Sequence, residues 1–344
     1  MLSPLYKPDK KRDYLSSLKA LATILVVYVH SENIFSFAYY TDLVALRRVV
    51  SVFNAAAVPI FFVVSGYLLF SKPFDYKDSI TKKLHSLIIP FLIWNTIYFL
   101  LEIVMSQFFP EYCETWDGTA AGLLTYYFGI PMSGTMPIYA PLWFLRDLIV
   151  LNLLSCGIKL VFDHVNHWFV ALFLLILWLS PINNQARQSV CFFCFGGLLG
   201  SYKGTFVFRK PMIPAVLCSI SGLFISICSS NEYLRRIAIM LYVMSIMLCF
   251  SRDFNIQKLL IKLMPYSFAI YILHGKIISI IQRLMVNILP QTTPVVMLVY
   301  LLLPIAVIVG CILLAKILNY LSPQLFSIAI GDRRISKESC KIKG

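Results

Sequence analysis

The chain has 344 residues, 59% of them hydrophobic and only 13% charged, with a formal net charge of +14 and a mean hydropathy of +0.79. A soluble globular protein carries about a quarter charged residues, so that class is excluded. The basic excess does not mark a nucleic-acid partner, because the cations fall in short clusters between apolar runs and are not interleaved with stacking aromatics.

In chain order, apolar runs predict ten helices over approximately 15–38, 46–70, 84–106, 142–162, 167–181, 188–202, 212–230, 234–250, 264–288 and 295–321. Residues 1–14 read as a cytoplasmic N-terminal segment and 322–344 as a cytoplasmic tail. The expected fold is therefore all-α, one polytopic membrane domain with a bundle of about ten transmembrane helices. The first run follows basic residues as a signal peptide would. It lacks a small-residue cleavage site before HSENIFSFAYY, so a retained first span is expected.

Orientation follows from the cations. With the N-terminus inside, 21 Lys and Arg fall in inner segments and 5 in outer ones, namely Arg47, Arg48, Arg187, Arg235 and Arg236. The positive-inside rule then places both termini in the cytoplasm. The long connection 107–141 holds Glu111, Glu114 and Asp117 without any Lys or Arg, and is expected outside. A connection of that length is often functional. Nine cysteines are scattered, mostly in apolar runs, where a thiol acts as a small hydrophobe. Cys191 and Cys194 sit in CFFCF within a predicted span, and no metal is expected there.

Ionisable groups inside spans are costly, at least ~2.5–3.5 kcal/mol on insertion scales, so they usually face a cavity, a partner or a reaction. The stretch KALATILVVYVH runs from Lys19 to His30, roughly 16 Å along a helix axis. Lys19 would lie at one face and His30 near mid-membrane. The imidazole is either a packed hydrogen-bonding group or a general base for a hydroxyl nucleophile. In PYSFAIYILHGKIISI, His274 lies at similar depth, with the same two readings. In APLWFLRDLIVLNLL, Trp143 is followed by Arg146 and Asp147. These read either as a belt aromatic with a local ion pair or as a polar opening for an acceptor. In VPIFFVVSGYLLF, Pro59 precedes Ser65 and Gly66, small residues that allow close helix approach. In TKKLHSLIIPFLIWN, Lys82, Lys83 and His85 precede a predicted span, as anchors or as phosphate ligands.

Those five stretches, taken in their order along the chain, resemble the integral-membrane acyltransferase 3 family, which includes bacterial O-acetyltransferases of surface polysaccharides. The resemblance implies a multi-pass protein of the bacterial inner membrane, surrounded by its lipids. Such a protein moves an acyl group from acetyl-CoA to a hydroxyl of a cell-surface or lipid-linked polysaccharide. It implies that His30 is general base or transient acyl relay, and that Lys19 holds the CoA phosphates. Where the family carries two arginines three apart, this chain has Lys83 and Ser86 with Lys82 and His85 alongside. A lysine binds phosphate as a point charge and lacks the arginine fork. Ser65, Trp143, Arg146, Asp147 and His274 would support the site. Two alternatives stay open: a glycan or lipid-intermediate transporter, and a succinyl donor whose extra carboxylate would meet Arg146, Lys276 or Arg283.

Overall fold

The computed structural model describes residues 8–37, 43–72, 76–108, 119–130, 135–182, 184–202, 211–251, 255–288, 290 and 292–331. Among the described residues there is no strand. The helices are α1 (Pro8–Ser31), α2 (Val44–Asn54), α3 (Ala57–Phe70), α4 (Tyr76–Phe108), α5 (Ala120–Phe128), α6 (Trp143–Leu153), α7 (Ser155–His164) and α8 (His167–Leu179). They continue with α9 (Gln185–Ser201), α10 (Met212–Cys228), α11 (Glu232–Phe250), α12 (Asn255–Leu263), α13 (Ser267–Ile288), α14 (Thr293–Leu321) and α15 (Pro323–Ala329). A 3₁₀ segment, Glu32–Phe37, extends α1.

Three runs expected as single helices, or with simple edges, are interrupted for identifiable reasons. The run 46–70 breaks at Ala55 and Ala56, because Pro59 has no N–H for the carbonyl four residues back. The run 142–162 breaks at Leu154. There the Asn152 amide donates to the Leu148 carbonyl at 2.6 Å and the Ser155 hydroxyl to the Asn152 carbonyl at 2.6 Å. Side chains that bond nearby backbone groups in this way compete with the helical ladder. Pro265 lies in the 3₁₀ turn Met264–Tyr266 that separates α12 from α13. Within the connection 107–141, α5 starts where the Thr119 hydroxyl accepts from the Gly122 N–H at 2.9 Å, an N-cap. The stretch GDRRISKESCKIKG lies, after Gly331, outside the described residues, but α15 precedes it within the expected tail.

Six helical segments among the described residues are long and apolar enough to cross a membrane: Asp13–Ile34, Val44–Phe70, His85–Phe108, Glu232–Phe250, Asn255–Met285 and Thr293–Leu321. Two shorter apolar helices, α8 and α10, join them. On α14 the exposed side carries Leu298, Leu301, Leu302, Ile305, Val309 and Leu313. A helix whose outward face is apolar has lipid, not water, as its solvent. The protein is an all-α, multi-pass membrane protein.

The chain divides into two compact units, Met1–Val64 with Lys203–Lys316, and Ser65–Tyr202 with Ile317–Gly344. In the first, α1 is surrounded by α2, α11, α12 and α13, while α10 packs on α11 and α2. Its core includes Leu18, Val27, Ile270, Ile272 and Leu303, none of them exposed. In the second, α4 packs on α6 and α15, and α9 meets α6, α7 and α8. There α3 and α9 come so close that a Cβ at Gly66 would lie 2.0 Å from the Phe193 carbonyl oxygen.

Candidate active site

The first unit holds the two histidines. Lys19 lies on α1 with its side chain half-buried, and His30 occupies the last turn of the same helix, also partly exposed. The sequence makes this a helix by burying Leu18, Ala22, Leu25 and Val26 at helical spacing. Ser31 closes it, donating to the Val27 carbonyl at 2.8 Å.

His274, on α13, is wholly buried. Its Nδ1 stands 2.7 Å from the Tyr271 carbonyl and 3.1 Å from the Ile270 carbonyl. Carbonyls only accept, so Nδ1 carries the proton in the neutral ring and Nε2 is left as an acceptor. That Nε2 has no partner among the described residues. The His30 ring lies against it, with centroids 4.9 Å apart and planes at 53°. The two ionisable groups singled out in separate apolar runs thus meet.

Beside this pair lies a polar network that the sequence reading missed. Glu32, two residues past His30, accepts at Oε1 from the Asn54 amide at 2.8 Å, and Ser51 also donates to it. The second Asn54 N–H reaches the Tyr300 hydroxyl at 2.8 Å, and Tyr300 meets Tyr28 edge-on at 5.5 Å. Asn54 was recognisable as a lone amide in the apolar run VVSVFNAAAVPIFF, whereas Tyr300 looks like any interfacial aromatic. Arg47 and Arg235 are close enough to act on the Glu32 charge. Arg235 and Arg236 themselves pair with Glu232 at 3.7 and 3.2 Å.

The second unit holds the other candidates. Arg146 and Asp147 are 5% and 3% exposed and are joined at 2.9 Å. Arg146 Nη1 also donates to the Thr135 carbonyl at 2.8 Å, and Ser189 donates to the second Asp147 oxygen at 2.5 Å. Arg146 therefore pins the chain just before α6. Gly129 lets it do so: at φ +63°, a Cβ there would meet Arg146 Nη1 at 2.7 Å. Trp143 begins α6 and is half-buried. Ser65 is half-buried on α3, next to the Gly66 contact with α9. Lys83 is half-buried and His85 exposed on the first third of α4, while the Lys82 side chain lies outside the described residues. Lys276 and Arg283 lie exposed on α13. Among the described residues no three His, Cys, Asp or Glu side chains are grouped to hold a metal ion. Cys191 and Cys194 are buried free thiols on α9.

A family profile described as an acyltransferase domain matches residues 12–316. The chain is similar to the succinoglycan biosynthesis protein ExoH of Rhizobium meliloti (strain 1021), 29% identical over 155 residues. That match spans 43% of this chain and 41% of the relative, so well under two thirds of the relative's length is covered. No solved structure matches. The profile takes in both histidines, Lys19, the Glu32 network and the Arg146–Asp147 pair, and the chain belongs to the acyltransferase 3 family.

Proposed function

We propose that the protein is an O-acyltransferase of the bacterial inner membrane, with both termini cytoplasmic. It transfers an acyl group, acetyl in the simplest case, from cytosolic acyl-CoA to a hydroxyl of a cell-surface or lipid-linked polysaccharide. The observation that carries this reading is the contact of His30 with His274. His30 takes the proton of the acceptor hydroxyl as its oxygen attacks the thioester carbonyl. When the C–S bond breaks, the proton passes from His30 to the departing thiolate, so the products are an ester and free CoA thiol. His274, its Nδ1 proton committed to backbone carbonyls, orients its neighbour through the packing of its ring against that of His30.

Lys19 lies eleven residues before His30 on one helix, roughly 16 Å away along the axis. It binds the donor's phosphates at the inner face. In the second unit, Lys82, Lys83 and His85 are separately proposed as phosphate ligands, acting as point charges and hydrogen-bond donors. The succinyl alternative stays open: Arg146 is engaged with Asp147 and Thr135, whereas Lys276 and Arg283 lie exposed on α13. The family and the named polysaccharide-biosynthesis relative both favour transfer over transport.

The test uses membranes containing the full chain, radiolabelled acetyl-CoA and extracted envelope glycan. Label should enter the glycan with the wild type and not with His30→Ala at equal protein level. Glycan movement across the membrane without any label transfer would overturn the proposal.

A further inference from the structure

Glu32 is the polar group that the reaction above leaves unused. A carboxylate within a membrane-spanning segment is costly, so its retention calls for a partner or a ligand. Three features of its setting bear on which. It lies two residues beyond His30, about 3–4 Å further along the chain's helical axis, just past the C-terminal end of α1 and on the far side of His30 from Lys19. It is held in place: Asn54, itself 3% exposed, donates to it and is anchored in turn on Tyr300, while Ser51 adds a second donor. Yet Glu32 remains partly exposed, and an ionised carboxylate has about four acceptor sites, more than these two donors occupy.

We infer that Glu32, oriented by Asn54 and Tyr300, is a binding point for hydroxyls of a neutral sugar acceptor, and so a specificity-determining residue of this enzyme. A carboxylate accepts from sugar hydroxyls in charge-assisted bonds. The half-buried Tyr28 ring, backed edge-on by the buried Tyr300 ring at 5.5 Å, supplies an apolar surface beside it for a sugar's C–H face. An anionic sugar suits the place less well. It would be repelled by Glu32, and of the neighbouring cations Arg235 and Arg236 are already paired with Glu232, which leaves Arg47 to offset the Glu32 charge itself. A purely tying role for Glu32 predicts a stability effect without any change in sugar binding. The inference rests on the acyltransferase reading for its substrate class, but binding can be measured without turnover.

The experiment follows binding of methyl β-D-glucoside, methyl β-D-galactoside and methyl β-D-glucuronoside to the full chain in lipid nanodiscs, by saturation-transfer NMR without donor. Wild type should bind the neutral glycosides, and Glu32→Gln should weaken them by about tenfold or more. Thermal melting of Glu32→Gln is followed in parallel. If that variant melts early, the shorter Glu32→Asp decides: a loss of comparable size supports the inference, and unchanged binding overturns it. Equal binding by wild type and Glu32→Gln overturns it, as does no binding of either neutral glycoside. So does a preference for the glucuronoside that survives Glu32→Gln. Glu32-dependent binding in a protein that transfers no acyl group from acetyl-CoA would retain the sugar site and reject the transferase reading.

Discussion

The imidazole of His30 rests against that of His274, centroids 4.9 Å apart, one ring partly exposed and the other fully enclosed. Replacing His30 by Ala is expected to lower acyl transfer by roughly 10²–10⁴, the usual contribution of a positioned proton acceptor. Release of CoA thiol, followed with a thiol reagent, measures it. Replacing His274 by Asn, which still offers polar atoms, should lower kcat while leaving the donor KM near its wild-type value. A donor KM that rises in parallel would place His274 in substrate binding instead.

Lys19, at mid-length of α1 and eleven residues before His30, is the proposed anchor of the donor's phosphates. Lys19→Ala should raise the KM for acetyl-CoA by about tenfold, the scale of one lost charge-assisted contact, and Lys19→Arg should restore most of it. The same variant should leave the KM for dephospho-CoA thioesters less affected, because part of the charge being recognised is absent from them.

Arg146 and Asp147 form a buried pair, 5% and 3% exposed. Removing one partner strands the other charge away from water, at roughly 3–5 kcal/mol. Arg146→Ala should therefore melt well below wild type, and Arg146→Ala combined with Asp147→Ala should recover part of the loss. Thermal unfolding followed by size-exclusion fluorescence reads both. A double variant less stable than either single one would contradict the pairing.

Gly66 is where α3 and α9 touch. A Cβ 2.0 Å from the Phe193 carbonyl oxygen and 2.9 Å from the Gly197 nitrogen meets backbone, which cannot rotate away. Gly66→Ala is expected to destabilise by about 1–3 kcal/mol, as overpacking does. A melting temperature unchanged from wild type would show that the two helices separate without cost.

Asn54 links Glu32 and Tyr300 through one amide. Asn54→Ala and Tyr300→Phe should be non-additive, with a coupling of about 0.5–3 kcal/mol in a double-mutant cycle read by thermal unfolding. Independent effects would mean that the two contacts do not form one network.

Much of this was visible in the chain. The apolar runs that became α1, α4, α11, α13 and α14 are recognisable by length and composition alone. His30 and His274 drew notice because an ionisable group in such a run is expensive. Their contact was not visible, since α1 and α13 are remote in sequence and nothing in either run names its neighbour. The breaks were hidden for a different reason. Pro59 sits inside an apolar stretch that a hydropathy pattern reads straight through, although Pro90 and Pro304 are accommodated within intact helices. Glu32 was overlooked because a carboxylate at a helix end resembles an ordinary solvated terminus. Only the tertiary partners Asn54 and Tyr300 show otherwise.

The enclosure of His274 sets an order of chemical attack. Against an electrophile such as diethyl pyrocarbonate, the partly exposed His30 ring is less shielded than the wholly buried ring behind it. Of the pair, carbethoxylation of the folded protein should therefore mark His30 before His274, after the exposed His85 and His164, and His274 should stay unmarked until the helices part. The pair carries its own footprint of whether the bundle is closed.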